Sequence, residues 1–99
     1  MKEPGDCADL QDIRAEIDRI DREVIAALGQ RFAYVKAAAK FKTSESSVKA
    51  SDRFATMLAE RREWAAAVGL NPDVIEKLYR DLVTHFIEEE LKQWQEQKH

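Results

Sequence analysis

Ninety-nine residues, 44% hydrophobic and 35% charged, suit a single packed domain over residues 1–99 and argue against disorder. The 16 Lys and Arg are interleaved with 19 Asp and Glu for a net charge of −3, which excludes general nucleic-acid affinity; any cationic site must be local. No apolar run of about 18 residues occurs and the opening MKEPGDCADL has no apolar signal core, so neither membrane nor export is expected and the cytoplasm is the default.

Leu10, Ile13, Ile17, Ile20, Val24 and Leu28 recur at spacings of three and four, and Phe32 and Val35 continue the stripe, predicting one long helix over about residues 9–42. The Ser-rich TSESSVKAS follows, read as the only long irregular segment and a candidate lid. Ser51 is expected to cap a second helix that carries Phe54, Met57, Leu58, Arg61, Trp64, Ala65 and Val68 on one side and ends at Gly69. Asn71 as cap, Pro72 at the first helical position and Asp73 beside the positive helix end open a third. Its apolar stripe runs through Val74, Ile75, Leu78, Leu82, Phe86, Ile87, Leu91 and Trp94, nearly to the end of the chain. Cys7 has no disulfide partner, and with only His85 and His99 no zinc pattern is present, so neither a metal nor a cofactor is expected.

A helix over residues 9–42 would be about 50 Å long, against a radius of gyration of about 13 Å for a compact domain of this size. Two shorter helices and a loop are too little to cover its apolar stripe. The fold class expected is therefore all-α, three helices per chain, in an intertwined homodimer whose long helices pair.

The segment RFAYVKAAAKFK concentrates four cations. On a continuous helix Arg31 and Lys42 return to within about 20° of one direction, about 16 Å apart, with Val35 and Ala38 between them as a small-residue floor. Two long cations over such a floor would suit a small dianion, although helix-surface cations are more often merely solvated. Lys36 and Lys40 point roughly the other way, toward a solvated face. Arg14 lies about 25 Å from Arg31 on the same helix and is expected to reach the same ligand only from an antiparallel partner. Arg53 either reaches back toward Lys42 across the loop or pairs with Asp52 or another first-turn acid.

Glu90 interrupts the apolar stripe of the third helix, unlike Glu88 and Glu89, so its carboxyl is expected to be half-buried. Beside Arg31 or Lys42 it would stay charged; against apolar surface alone its pKa would rise and it could donate a hydrogen bond. A salt-bridged interface residue is the other reading. His85 has no triad partner at a recognisable spacing and is read as a surface or packed imidazole.

The order DIRAEIDRIDREVIAALGQR, YVKAAAKFK, a polar loop with DRFATML, then LYRDLVTHFIEEELKQW resembles the all-helical chorismate mutase family over essentially the whole chain. It is most similar to the isochorismate-pyruvate lyase branch, which makes salicylate for siderophores. The resemblance implies an intertwined dimer with two sites, each assembled from both chains. It also implies that Arg31, Lys42 and Arg53 of one chain and Arg14 of the other bind the carboxylates of isochorismate or chorismate and polarise the breaking ether bond, with Lys42 at the ether oxygen. Glu90 falls where the family has a Gln or a Glu touching that oxygen.

Mutases of this family typically carry a Gly in the loop and a Glu directly after the second-helix Arg. Here the loop lacks Gly and Phe54 follows Arg53, as in the lyase branch. Glu90 departs from that branch, where Gln is expected; Glu donates only when protonated, so activity is expected to be strongest in mildly acidic solution, with chorismate mutase activity at the same site. The alternatives are a true chorismate mutase giving prephenate and, in another class, a non-catalytic helical dimerisation protein.

Overall fold

The structure, a computed structural model, describes residues 1–97, and among them every regular element is helical. Helices α1 (Leu10–Ala38), α2 (Glu45–Lys49), α3 (Ser51–Ala67) and α4 (Pro72–Gln97) follow in order, with 3₁₀ turns at Pro4–Asp6 and Ala39–Phe41. The three long helices and the all-α class are those expected from the apolar periodicity. The chain divides into two units, Met1–Ala33 and the residues from Tyr34 onward.

In the N-terminal unit the start of α1 is fixed by short polar side chains. Asp9 accepts from the Asp12 N–H at 2.9 Å, and Asp12 in turn accepts from the Ala8 N–H at 2.9 Å, so donors that a helix leaves open are satisfied locally. Arg19 bridges Glu16 at 2.7 Å and Glu23 at 2.9 Å along one face. The opposite, apolar stripe is bare: Leu10, Ile17, Ile20, Val24 and Ile25 are each about half or more exposed, and α1 buries no residue. Cys7 is half-buried, its thiol directed at the Glu3 carbonyl.

Helix α1 stops at Ala38, four residues short of the expected end. The backbone tightens into the 3₁₀ turn Ala39–Phe41, and Lys42 leaves it in an extended conformation (φ −88°, ψ 137°). Lys42 therefore leaves the helical face that it was expected to share with Arg31, Val35 and Ala38.

The Ser-rich segment is more ordered than expected. Ser44 accepts from the Ser47 N–H at 3.1 Å while the Ser47 hydroxyl meets the Ser44 N–H at 3.2 Å, a reciprocal capping box that starts α2. Val48 is 2% exposed and anchors this short helix, which packs against α4. Ser51 does not cap α3: it is the first helical residue, and Ala50 before it takes the left-handed conformation (φ 42°) without a side-chain cap bond. A single residue thus reverses the chain between two helices, at a cost of about 1–2 kcal/mol for a side chain larger than glycine.

Helices α3 and α4 form the core of the second unit. Met57, Leu58 and Val83 are buried together, with Phe54, Tyr79 and Ile87 packed against them. Arg61 sits on the apolar side of α3 because its guanidinium stacks over Trp64 at 4.4 Å and over Tyr79 at 5.7 Å. The α3–α4 turn follows the residue chemistry read from the sequence. Gly69 adopts φ 81°, its N–H bonding to the Ala66 carbonyl and that of Leu70 to Ala65, a Schellman stop. The Asn71 side chain then accepts from the Asp73 N–H at 2.8 Å as the cap of α4.

Gly69 has open space around it, so a Cβ there meets no atom and only the left-handed backbone resists it. Gly69→Ala is expected to lower stability by about 1 kcal/mol, read as a lower denaturant midpoint with an unchanged slope.

Candidate functional site

The second unit brings two of the expected site residues together. Glu90, on the buried face of α4, is 6% exposed, and its Oε2 lies 3.9 Å from the Lys42 Nζ. That carboxylate oxygen accepts no hydrogen bond among the described residues. The Lys42 ammonium donates instead to the Ser47 carbonyl at 2.9 Å, so its direction is tied to the capped helix α2.

The pair is fixed in position from the backbone. Trp94, one turn beyond Glu90 on α4, donates its indole N–H to the Lys42 carbonyl at 3.1 Å. Gln97 donates its side-chain amide to the Ala39 carbonyl at 3.0 Å, and Ala39 itself is fully buried. Neither residue stands out in the sequence as part of a site: Trp94 reads as one more member of an apolar stripe, and Gln97 as an exposed polar residue near a helix end. Lys40, expected on a solvated face apart from Lys42, is exposed but borders the same open cleft of about 480 Å³ as Lys42, Thr43, Trp94 and Gln97.

The other expected residues are placed as follows. Arg53 is exposed, with Nη1 3.5 Å from Glu60, two turns along α3, rather than paired with Asp52. An exposed pair of this length contributes little to stability and leaves Arg53 exchangeable toward another anion. Val35 and Ala38 are half-buried at the C-terminal end of α1. Arg14 and Arg31 belong to the N-terminal unit, Arg14 exposed and Arg31 half-buried. His85 is exposed beside the Phe86 ring, in keeping with a surface imidazole. His99 lies outside the described residues. Among those described, no three or more His, Cys, Asp or Glu side chains are grouped to hold a metal ion, and no helix is long and apolar enough to cross a membrane.

Two opposing influences act on the Glu90 carboxyl. Burial removes water from its charged form and raises its pKa; the Lys42 ammonium lowers it, and burial wins. A carboxyl poised in this way can accept a hydrogen bond as the anion or donate one as the acid. The Lys42 ammonium places a positive charge 3.9 Å from it.

These features define an all-helical protein whose candidate site is a lysine set on a helix-terminal turn against a buried carboxyl. The chain belongs to the chorismate mutase type II family, whose sequence pattern matches residues 13–91. It is 46% identical over 96 residues, 97% of this chain and 95% of the relative, to the isochorismate pyruvate lyase of Pseudomonas aeruginosa. It is also 36% identical over 72 residues to the T-protein of Haemophilus influenzae, of which it spans 19%, and 34% identical over 74 residues to that of Enterobacter agglomerans, of which it spans 20%.

The raised Glu90 pKa has a defined effect on stability. The folded chain binds Glu90's proton at a higher pH than the unfolded chain does. Between the ordinary carboxylate value and the raised one the native state therefore holds more protons, and stability falls as pH rises through that window. Glu90→Gln, neutral throughout, is expected to melt higher than the parent at neutral pH and to lose that advantage as the solution is acidified through the window. Melting curves of both proteins across pH check this; a difference independent of pH would contradict it.

Proposed function

We propose that the protein is an isochorismate-pyruvate lyase with secondary chorismate mutase activity. The observation that carries this reading is the Lys42–Glu90 pair: an ammonium 3.9 Å from a buried carboxyl whose pKa is raised by burial. It is supported by the 46% identity to an isochorismate pyruvate lyase along nearly all of both chains. The loop without Gly and Phe54 after Arg53 favour the lyase over a mutase giving prephenate.

The elimination is pericyclic. The ether carbon–oxygen bond breaks as a ring hydrogen moves to the methylene carbon of the enolpyruvyl group, releasing salicylate and pyruvate. Atoms and electrons balance within the substrate, so no nucleophile or redox partner is needed. What the enzyme supplies is a folded conformation of a flexible dianion and stabilisation of negative charge developing on the ether oxygen. In this reading Lys42 and protonated Glu90 both donate to that oxygen. Arg31 and Arg53 of the same chain hold carboxylates together with Arg14 of a second copy, and Val35 and Ala38 form the floor beneath the ring.

Completion of the site by a second copy is part of the proposal. The bare apolar stripe of α1, from Leu10 to Ile25, is the kind of surface that pairs with another helix, and Leu78, Val74 and Trp64 are also more than half exposed. In this reading residues 1–99 form a single chorismate mutase-like domain within an intertwined homodimer, acting in the cytoplasm without a cofactor.

Incubation of the protein with isochorismate is expected to release salicylate, followed by its fluorescence, and pyruvate in equal amounts. Chorismate, tested separately, is expected to give slower conversion to prephenate. Prephenate formation without salicylate would reassign the protein as a mutase, and binding of neither substrate would leave only a dimerisation role. Lys42→Ala is expected to lower turnover of isochorismate by on the order of a hundredfold, as loss of one preorganised donor does; near-normal kinetics would remove Lys42 from the ether oxygen.

A further inference from the structure

Lys42 stands just beyond a helix end, where carbonyl groups no longer find partners in the helix and the backbone is free to choose its path. Two of those carbonyls are taken by side chains of one helix. The Lys42 carbonyl accepts from the Trp94 indole at 3.1 Å, and the Ala39 carbonyl accepts from the Gln97 amide at 3.0 Å as well as from the Lys42 N–H at 3.3 Å. Both ends of the turn are thereby tied to α4. Glu90, Trp94 and Gln97 follow at spacings of four and three, so they share a face of α4. The helix that presents the carboxyl also fixes the backbone from which the ammonium extends.

We propose that Trp94, assisted by Gln97, is a positioning residue for Lys42: the two side chains set the register between the ammonium and Glu90 that catalysis uses. This rests on the assignment of Lys42 to the ether oxygen. In this role each side chain acts through its bond to the 39–42 turn rather than on the reacting atoms. Without the indole N–H the Lys42 carbonyl would turn to water, the turn would sample other directions, and the long flexible side chain would carry the loss to its tip. Geometric tolerance at a preorganised donor is small, so a displacement of about 1 Å costs rate while leaving the bulk of the substrate's binding contacts in place.

An indole N–H donates only, so Trp94→Phe removes the bond and keeps most of the apolar ring. This variant is expected to lower kcat for isochorismate about tenfold, the equivalent of one hydrogen bond, with KM changed no more than about twofold and the melting temperature lowered only by the few degrees that one lost hydrogen bond costs. In a Lys42→Ala background the same substitution is expected to cost nothing further, because a residue acting through Lys42 has nothing left to position. Gln97→Met, at an exposed site, removes the second bond without touching the core and is to be carried through the same cycle should Trp94→Phe fold poorly.

Wild-type kcat in Trp94→Phe, or in Gln97→Met if that variant decides the matter, would overturn the inference. So would an undiminished loss in the Lys42→Ala background, since the residue would then act elsewhere. The Lys42→Ala single variant reports separately on the underlying site: near-normal turnover there would overturn the assignment of Lys42 itself, and with it the positioning role.

Discussion

A carboxyl removed from water and an ammonium held beside it without a hydrogen bond between them is the constraint on which the rest of this structure turns. Neither group is comfortable alone. Burial raises the pKa of Glu90, and the nearest charge able to counter that rise is Lys42, 3.9 Å away. At that distance no hydrogen bond joins them, so the ammonium keeps protons for other acceptors, and the carboxyl, once protonated, can donate toward a third group. An ion pair closed to hydrogen-bond length would be a structural bridge. This one is held open.

Several local features keep it open, each made by an ordinary residue. The 3₁₀ turn that ends α1 moves Lys42 off the helix, and Trp94 and Gln97 fasten that turn to α4. The Ser44–Ser47 capping box folds α2, whose Ser47 carbonyl receives the ammonium. The direction of one lysine thus depends on the order of the loop that follows it. That coupling gives the candidate lid a physical meaning: a change in the 44–50 segment is felt at Lys42 Nζ through a single hydrogen bond. A pericyclic elimination asks for this kind of environment, because its barrier responds to how a flexible dianion is folded and to charge held near one oxygen.

The sequence was most informative where the chemistry is local. Apolar spacing marked the three long helices, Asn71-Pro72 and Gly69 marked the turn between α3 and α4, and Glu90 was recognisable as a carboxyl out of place in an apolar stripe. It was least informative where tertiary contact decides. Nothing in YVKAAAKFK announces that the helix gives way at Ala38, since alanine and lysine are good helix formers and the tightening is secured from α4. The Ser44–Ser47 box lacks the Glu or Gln that usually marks such a cap, so the sequence alone reads as loop where α2 forms. Ala50 hides a left-handed residue that sequence rules assign to glycine or asparagine, and Ser51 beside it looks the better cap. The site residues split in the same way. Glu90 could be singled out by pattern, whereas Trp94 is legible only once its indole is seen to meet a carbonyl fifty-two residues away.

In the proposed reaction Glu90 works as a neutral donor beside the positive charge of Lys42. The most direct measurement is the pH dependence of kcat for isochorismate in the parent protein and in Glu90→Gln. Glutamine donates at any pH, so the parent rate is expected to fall as pH rises through Glu90's elevated pKa while the variant's rate stays level over the same range. Superimposable profiles would contradict it.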